Sequence, residues 1–270
     1  MTENIPEIVG LQAFTDNYIW TIRKAGYAIV VDPGDAAPVL RHLAESGDQL
    51  CAILLTHHHP DHVGGVPALL AAMPDKKIAV YGPALENVAT VTHPMQGGEH
   101  IHITAPNDAL RAEFEIINIP GHTRGHIAFY SNNLLPEGAL FCGDTLFAAG
   151  CGRLFEGTPA QMQASLQSLS VLPAPTRVFC GHEYTQANLR FASAVEPNNE
   201  AVRARSEAVA ALRKDLRCTL PSSIAIELAT NPFLRWAAPE VIHAAGQRLG
   251  HAPATDIETF AAIREWKNSF

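Results

Sequence analysis

The stretch THHHPDH, residues 56–62, places four of the thirteen histidines of the chain within seven positions. The apolar run that leads into it, residues 51–56, predicts a buried strand. Gly64 and Gly65 follow the stretch, and residues 66–73 after them predict a helix. The histidines therefore lie on a loop at the carboxyl end of a strand, where α/β sheets usually place their functional sites.

The order of residues within this loop indicates a metal site. If the chain stays extended, side chains two apart share a side, so His57, His59 and Asp61 point one way. Pro60 fixes its own φ and restricts His59, which favours a rigid loop. His62 stands where the chain turns into the helix and can reach the same place from another direction. Imidazole and carboxylate groups on a stiff loop are typical ligands of transition-metal ions.

Three further stretches repeat one pattern, in which an apolar strand is followed by a glycine and then by a ligand-type side chain. The glycine lets the backbone turn sharply and come close to a site. The residues placed in this way are His122 in INIPGHTRGH, Asp144 in ALFCGDTLF and His182 in RVFCGHEYT. A lone residue of this kind is usually a cap or a turn, but three of them together with the histidine cluster indicate one composite site.

The number of candidate ligands predicts the number of ions. A four-coordinate zinc ion cannot use seven ligands, whereas two ions about 3.5–4 Å apart can share one carboxylate and hold a water or hydroxide between them. The seven candidates are His57, His59, Asp61, His62, His122, Asp144 and His182. We predict two divalent ions, zinc first, with iron or manganese as alternatives. His58 and His126 are interpreted as neighbours of the ligands rather than as ligands.

Composition and charge exclude several other classes of protein. The 270 residues carry a net charge of −8, and residues 1–182 hold 9 Lys and Arg against 17 Asp and Glu, which argues against a nucleic-acid-binding surface. The sequence contains no long apolar run and no signal-peptide pattern at its start, so we expect no membrane association. Five cysteines without CxxC spacing favour reduced thiols and hence the cytoplasm. A small-molecule substrate and a monomer are expected.

Hydrophobic periodicity divides the chain into an α/β domain at residues 1–182 and a helical domain at 183–270. Asp35 is expected to cap a helix over residues 37–46, with Gly47 beyond its end. Predicted strands cover residues 19–22, 27–31, 78–81, 100–103, 113–119, 127–130, 140–142 and 177–180, with a helix at 158–170. In the second domain, helices are predicted at 184–195, 199–216, 239–249 and 255–267.

The motifs THHHPDH, GHTRGH, GDTLF and GHEYT together resemble the metallo-β-lactamase superfamily. Within it, FTDNYIW (14–20), GCGRLFEGT (150–158), NPFLR (231–235) and REWK (264–267) are similar to glyoxalase II, the hydroxyacylglutathione hydrolases. The resemblance spans nearly the whole chain. It implies an αββα sandwich with a dinuclear metal site at one edge of its two sheets, followed by an all-helical, glutathione-binding C-terminal domain.

The resemblance also implies an activity and a role for each ligand. The activity is hydrolysis of S-D-lactoylglutathione and related thioesters to D-lactate and glutathione, the second step of methylglyoxal detoxification. A hydroxide between the ions is the nucleophile, and Asp61 and Asp144 are the catalytic carboxylates. One ion is assigned to His57, His59 and His122, the other to Asp61, His62 and His182, with Asp144 shared between them.

Four residues are implied as contacts to glutathione, which carries carboxylates at both ends and so requires cations. They are Arg153, Tyr184, Arg264 and Lys267, the last two on one face of the final helix. Arg153 stands where relatives often have lysine, which keeps the charge and changes the geometry. Phe155 stands where some relatives carry a tyrosine that contacts the substrate.

Three alternatives remain open at this point. A persulfide dioxygenase of the same superfamily would use a single iron, without His62 and His182 as ligands. A nuclease would use the same two metals but needs a basic surface. A metal-binding module without catalysis would not need a complete bridged site at exposed strand ends.

Overall fold

The computed structural model describes residues 5–270, which divide into two compact units. The first unit runs to Asn118 and includes Thr123–Gly143; the second comprises Ile119–His122 and Asp144–Phe270. The division follows spatial contacts, and the predicted domain boundary after residue 182 stays a prediction.

The first unit contains ten strands and three short helices among its described residues. Its strands are β1 Glu7–Ala13, β2 Asn17–Lys24, β3 Tyr27–Val31, β4 Gln49–Leu54, β5 Ala79–Pro83, β6 His93–Met95, β7 His100–Thr104, β8 Arg111–Asn118, β9 Ile127–Ser131 and β10 Ala139–Gly143. Its helices are α1 Ala36–Ser46, α2 Pro60–Val63 and α3 Val66–Ala71, with a 3-10 turn at Pro106–Asp108.

The strands of the first unit form two sets. Strands β1 to β6 form one sheet in chain order, antiparallel from β1 to β3 and parallel from β3 to β6. Strands β7 to β10 lie side by side in chain order and are antiparallel throughout. The buried strands β3 and β4 carry apolar side chains on both faces, and Val30 and Ile53 from them join Val39, Leu43 and Leu69 in one core.

Local sequence explains where the helix after β3 begins and ends. The Asp35 carboxylate accepts a hydrogen bond from the Ala37 N–H, and Gly47 ends the helix in the left-handed region at φ 74°. Both features confirm the prediction for α1. The turn that leads from β3 to α1 lies next to the end of the THHHPDH loop, because the Gly65 N–H donates to the Pro33 carbonyl at 2.9 Å.

The second unit is mostly helical, with two short pairs of strands. Its elements are β11 Leu146–Phe147, β12 Gly150–Cys151, α4 Pro159–Ser170, β13 Arg177–Cys180, α5 Thr185–Val195, α6 Glu200–Lys214, β14 Ser222–Ser223, α7 Ile224–Thr230, α8 Pro239–Leu249 and α9 Asp256–Asn268. Strands β11 and β12 form a hairpin, and β13 pairs antiparallel with β14. A reciprocal capping box between Thr158 and Gln161 opens α4, and Pro159 is the first residue of the helix. The start of this helix is as predicted from Thr158 and Pro159.

Two details differ from the sequence-based expectations. The region after residue 183 is not wholly helical, because β14 pairs with β13. The chain is not extended through Asp61, because Pro60 occupies the first turn of α2 and His59 is its N-terminal cap residue. Proline is favoured at that position because its fixed φ suits a helix. None of the helices within residues 5–270 combines the length and hydrophobicity that crossing a lipid bilayer requires.

Candidate metal centre and adjoining cavity

In the first unit, the predicted ligands of the THHHPDH loop face one another in pairs. The His57 Nε2 and His59 Nδ1 atoms are 3.1 Å apart, with the two rings edge to face. The His62 Nε2 lies 3.5 Å from the Asp61 Oδ2. Nitrogen and oxygen ligand atoms must lie this close together if they are to bind one metal ion.

Asp32, at the end of β3, orients two of these histidines. Its carboxylate accepts hydrogen bonds from the Thr56 N–H at 2.8 Å and the Thr56 hydroxyl at 2.7 Å, and its Oδ2 is 3.1 Å from the His62 Nδ1. The Thr56 hydroxyl donates its proton to Asp32, so its oxygen accepts a hydrogen bond from the His57 Nδ1, 3.0 Å away. The His57 and His62 rings therefore both carry a proton on Nδ1, which leaves Nε2 of each ring as the ligand atom.

Sequence reasoning missed the role of Asp32, although the signal was present. Asp32 directly follows an apolar strand, as the predicted ligands do, and its backbone is left-handed at φ 50°, which aspartate tolerates better than most residues. Asp32, His57 and His62 are all buried, and their ligand-type atoms lie within 4.8 Å of one another. The three hydrogen bonds to Thr56 and His62 favour an orienting role over a ligand role for Asp32.

Asp61 is held by the first residue of β2. The side-chain amide of Asn17 donates to the Asp61 Oδ2 at 3.0 Å, and its nitrogen is 3.4 Å from the Asp61 carbonyl oxygen. Gly34 packs against the same peptide, so closely that a Cβ there would lie 1.8 Å from the Asp61 carbonyl oxygen. Asn17 belongs to the FTDNYIW motif, which thus has a physical role in fixing Asp61.

In the second unit, one carboxylate faces two predicted histidine ligands. The Asp144 Oδ2 lies 3.4 Å from the His122 Nε2 and 3.3 Å from the His182 Nε2. The His122 Nδ1 is 2.9 Å from the Arg153 carbonyl oxygen, which can only accept, so the proton is on Nδ1 and Nε2 faces Asp144. A Cβ at Gly152 would lie 1.9 Å from the Asp144 carbonyl oxygen, so this approach is possible only for glycine.

The two remaining histidines near the cluster pack against the ligands. The His126 ring is buried and stacks on the His57 ring with centroids 4.5 Å apart, and His58 stacks on His59 at 5.0 Å. The His126 Nδ1 lies 3.1 Å from the carbonyl oxygen of Ile127.

A cavity of about 450 Å³ adjoins the ligands of the second unit. Its walls include all four residues predicted to contact glutathione, together with two predicted ligands and Phe155. The lining residues are His122, Asp144, Phe147, Cys151, Arg153, Phe155, Tyr184, Ala187, Asn188, Arg264 and Lys267. The Tyr184 ring stacks on His182 with centroids 4.7 Å apart, and the Phe155 ring meets His122 edge to face. Three cations beside two predicted metal ligands suit an anionic substrate.

The two cations of α9 differ in their surroundings. Arg264 is only 4% exposed; its Nη1 donates to the Cys151 carbonyl at 2.8 Å, its Nη2 to Asn268, and its guanidinium lies over the Phe233 ring. Lys267 is less enclosed, and its pKa is lowered by burial first and then by Arg264, Arg190 and Arg153. Arg264 therefore also holds the fold together, whereas Lys267 is the more available cation.

The sequence is similar both to family models and to individual proteins of known name. The sequence model of the metallo-beta-lactamase superfamily matches residues 14–182, and that of the hydroxyacylglutathione hydrolase C-terminus matches residues 183–270. The chain is 48% identical to the hydroxyacylglutathione hydrolase of Nitrosomonas eutropha over 98% of its own length and 99% of that protein. It is 52% identical to that of Methylobacillus flagellatus, with the same coverage.

Solved structures share the fold at lower identity. ETHE1 from Myxococcus xanthus superposes with a TM-score of 0.62 at 22% identity, covering 98% of this chain and 99% of that one. At this identity the likeness concerns the fold alone. Together with the superfamily match, it confirms the predicted α/β class and metallo-β-lactamase fold, with mixed sheets and a helical C-terminal region.

Proposed function

This chain belongs to the metallo-β-lactamase superfamily and, within it, to the hydroxyacylglutathione hydrolases, and we propose that it hydrolyses the thioester bond of 2-hydroxyacylglutathiones. S-D-Lactoylglutathione is the proposed substrate, and D-lactate and glutathione are the products. Identity near 50% over almost the full length of named hydrolases carries this proposal.

The cavity of the second unit supports glutathione as the substrate moiety. It brings Arg153, Arg264 and Lys267 beside His122 and Asp144, and glutathione offers a carboxylate at each end. Charge-assisted hydrogen bonds to carboxylates are stronger than neutral ones. The reacting carbonyl would then face the ligand side of the cavity, while the peptide lies along the cations.

The donor set fits divalent transition-metal ions. We propose that His57, His59 and His122 hold one ion, that Asp61, His62 and His182 hold the other, and that Asp144 is shared. The contact of one Asp144 oxygen with two histidine nitrogens supports the sharing. Zinc is the proposed metal, with iron or manganese as alternatives. When bound, such ions polarise the thioester carbonyl and lower the pKa of water to about 7.

The protein itself orients these ligands. Asp32 and the Arg153 carbonyl keep the Nδ1 protons of His62 and His122 in place, and Asn17 fixes the rotamer of Asp61. Ligands held in this way need little rearrangement during the reaction. The glutathione thiolate is a good leaving group, so no side chain is required as a general acid.

The persulfide-dioxygenase alternative is not favoured. The relatives near 50% identity bear the hydrolase name, and the helical region matches the C-terminal model of that family. The likeness to ETHE1, at 22% identity, concerns only the fold.

We further propose that the enzyme works as a monomer in the cytoplasm. All five cysteines are free thiols, which suits a reducing compartment. Light scattering on the purified protein checks the oligomeric state, and a dimer would overturn that part of the proposal.

Metal analysis combined with a thioester assay tests the function. We expect about two transition-metal ions per chain and release of glutathione from S-D-lactoylglutathione, followed with a thiol reagent. The proposal would be contradicted if the protein held a single iron ion per chain and consumed oxygen when glutathione persulfide was the substrate.

A further inference from the structure

Two buried residues that no step above uses, Glu227 and Asn231, contact the β11–β12 hairpin. The Asn231 side-chain nitrogen is 3.1 Å from the Phe147 carbonyl oxygen and 2.9 Å from that of Gly150. The Glu227 Oε2 accepts the Ala149 N–H at 2.7 Å and faces the same Asn231 nitrogen at 2.9 Å. The helix α7 and the residue after it thus bind three backbone groups of one turn.

The hairpin requires such support because it is short and strained. Each of its strands has two residues, and Ala149 in the turn has a left-handed backbone at φ 55°, a conformation that alanine adopts only when its surroundings impose it. A second amide, that of Asn188, donates to the Ala148 carbonyl at 3.1 Å. Buried backbone groups without partners would be costly, so these side chains determine where the turn lies.

The Asn231 side chain has one defined orientation. Its Oδ1 accepts the N–H of Phe233 at 3.0 Å, so its amino group must point towards the hairpin. The Glu227 carboxylate is in turn held by Arg205 at 2.7 Å and by the Ser222 hydroxyl. Glu227 is 0% exposed, and a carboxylate buried to this extent requires such partners.

The hairpin and its flanks carry the cavity wall. Phe147 packs edge to face against His182 and Tyr184. The Cys151 carbonyl accepts a hydrogen bond from the Arg264 guanidinium. Asp144 precedes the hairpin by two residues, and Arg153 follows it by two. A shift of the hairpin would therefore move the predicted glutathione contacts together.

We propose that Asn231 and Glu227 are positioning residues that set the geometry of the glutathione cavity through the β11–β12 hairpin. The proposal rests on the proposed function, because the cavity is taken to hold the glutathione moiety. It assigns a role to the NPFLR motif, which begins at Asn231. Neither residue is among those that line the cavity, so each acts through the backbone groups that it holds.

Asn231→Ala tests this proposal. The variant loses the donor to both hairpin carbonyls, and we expect KM for S-D-lactoylglutathione to rise about tenfold with kcat nearly unchanged. Binding of S-methylglutathione, which has no thioester to hydrolyse, should weaken by the same factor in calorimetry. Metal content and hydrolysis of a small thioester without glutathione should stay at wild-type levels. Asn231→Ser, which keeps one donor, serves if Asn231→Ala does not fold, with a smaller rise in KM.

A control variant separates positioning from general stability. Arg235→Gln breaks the paired hydrogen bonds to Glu196 within the same motif but touches no hairpin atom. It should lower the melting temperature and leave KM within about twofold of wild type.

The possible outcomes are distinct. If Asn231→Ala lowers the melting temperature without changing KM, or lowers kcat and metal content instead, the positioning role is wrong. An equal rise of KM in Arg235→Gln would likewise overturn it. Failure of the wild type to hydrolyse the thioester would contradict the proposed function alone, because S-methylglutathione binding still reports on the cavity.

Discussion

The two units hold their predicted ligands by different means. In the first unit, four ligands come from one loop of seven residues, and the side chains of Asp32 and Asn17 orient them. In the second unit, the ligands stand far apart in the sequence, and His122 is oriented by a main-chain carbonyl.

This difference decides which substitutions matter. A side chain that orients a ligand is removed by one mutation, whereas a main-chain carbonyl survives any substitution at its residue. Metal affinity in the first unit should therefore be sensitive to substitutions at positions that are not ligands, whereas in the second unit it should depend mainly on the ligands themselves.

The largest effect is expected at the carboxylate shared by two histidines. Asp144→Ala removes the contacts to both His122 and His182, and we expect kcat to fall about a thousandfold, since ions at such sites supply several kcal/mol of transition-state stabilisation. Asp61→Ala should cost less, because Asp61 is proposed to hold only one of the two ions. Steady-state kinetics with metal analysis checks both. Retention of two ions and most of the rate in Asp144→Ala would show that the carboxylate is not shared.

The next effect tests orientation in the first unit. Asp32→Asn replaces one carboxylate oxygen by an NH2 group, although the Thr56 N–H, the Thr56 hydroxyl and the His62 ring all need an acceptor there. Metal affinity or activity should therefore fall about ten- to a hundredfold. Asp35→Asn is the matched control three residues away, because asparagine caps a helix as well as aspartate does. Unchanged metal affinity and rate in Asp32→Asn would mean that the loop orients its histidines without help.

A tenfold effect is expected at the cavity. Lys267→Met should raise KM for the glutathione thioester about tenfold with kcat unchanged, because a charge-assisted hydrogen bond is lost in ground and transition states alike. Arg264→Ala added to it should also lower the melting temperature, since Arg264 is buried and bonded to Cys151. Equal losses on a small thioester without glutathione would assign both residues to folding alone.

The same lysine gives a pH dependence. The pKa of Lys267 is lowered, first by burial, and a carboxylate binds only the charged form, so KM should rise as the pH increases through that lowered pKa. Lys267→Arg keeps its charge at alkaline pH, and its KM should stay flat where that of the wild type rises. A rise of the same size in both proteins would place the titration elsewhere.

The smallest effect concerns the departure at Phe155. This ring is 62% exposed and lines the cavity, so Phe155→Tyr can add a hydroxyl without repacking. We expect KM to fall about threefold, as one exposed hydrogen bond allows. An unchanged KM for the glutathione thioester would show that the hydroxyl does not reach the substrate.

Much of the fold and the candidate ligands could be predicted because their signals are local. The strand Arg177–Cys180 and the helix Pro239–Leu249 have the predicted bounds, since apolar runs and flanking Gly or Pro define them. The ligand candidates follow from short patterns at strand ends. The pair β11–β12 was missed, since two-residue strands carry no periodicity.

The residues that orient the site could not be predicted in the same way. Asp32 contacts His62 and Asn17 contacts Asp61 across 30 and 44 residues of chain, and Glu227 contacts Ala149 across 78. Contacts of that separation arise only from the tertiary fold. The expectation of an extended Asp61 was wrong because Pro60 starts a helical turn, an alternative that proline's fixed φ also permits.

Gly34 and Gly152, which press against the carbonyls of Asp61 and Asp144, bear on how this enzyme can be redesigned. A mutagenesis library aimed at new thioesters should vary the open wall of the cavity at Phe155 and Tyr184. Any side chain at position 34 or 152 would collide with the backbone carbonyl of Asp61 or Asp144, so it could not be used to change the contacts to the acyl group of the substrate. Clones carrying such changes should be recovered as inactive protein, whatever substrate is used in the selection.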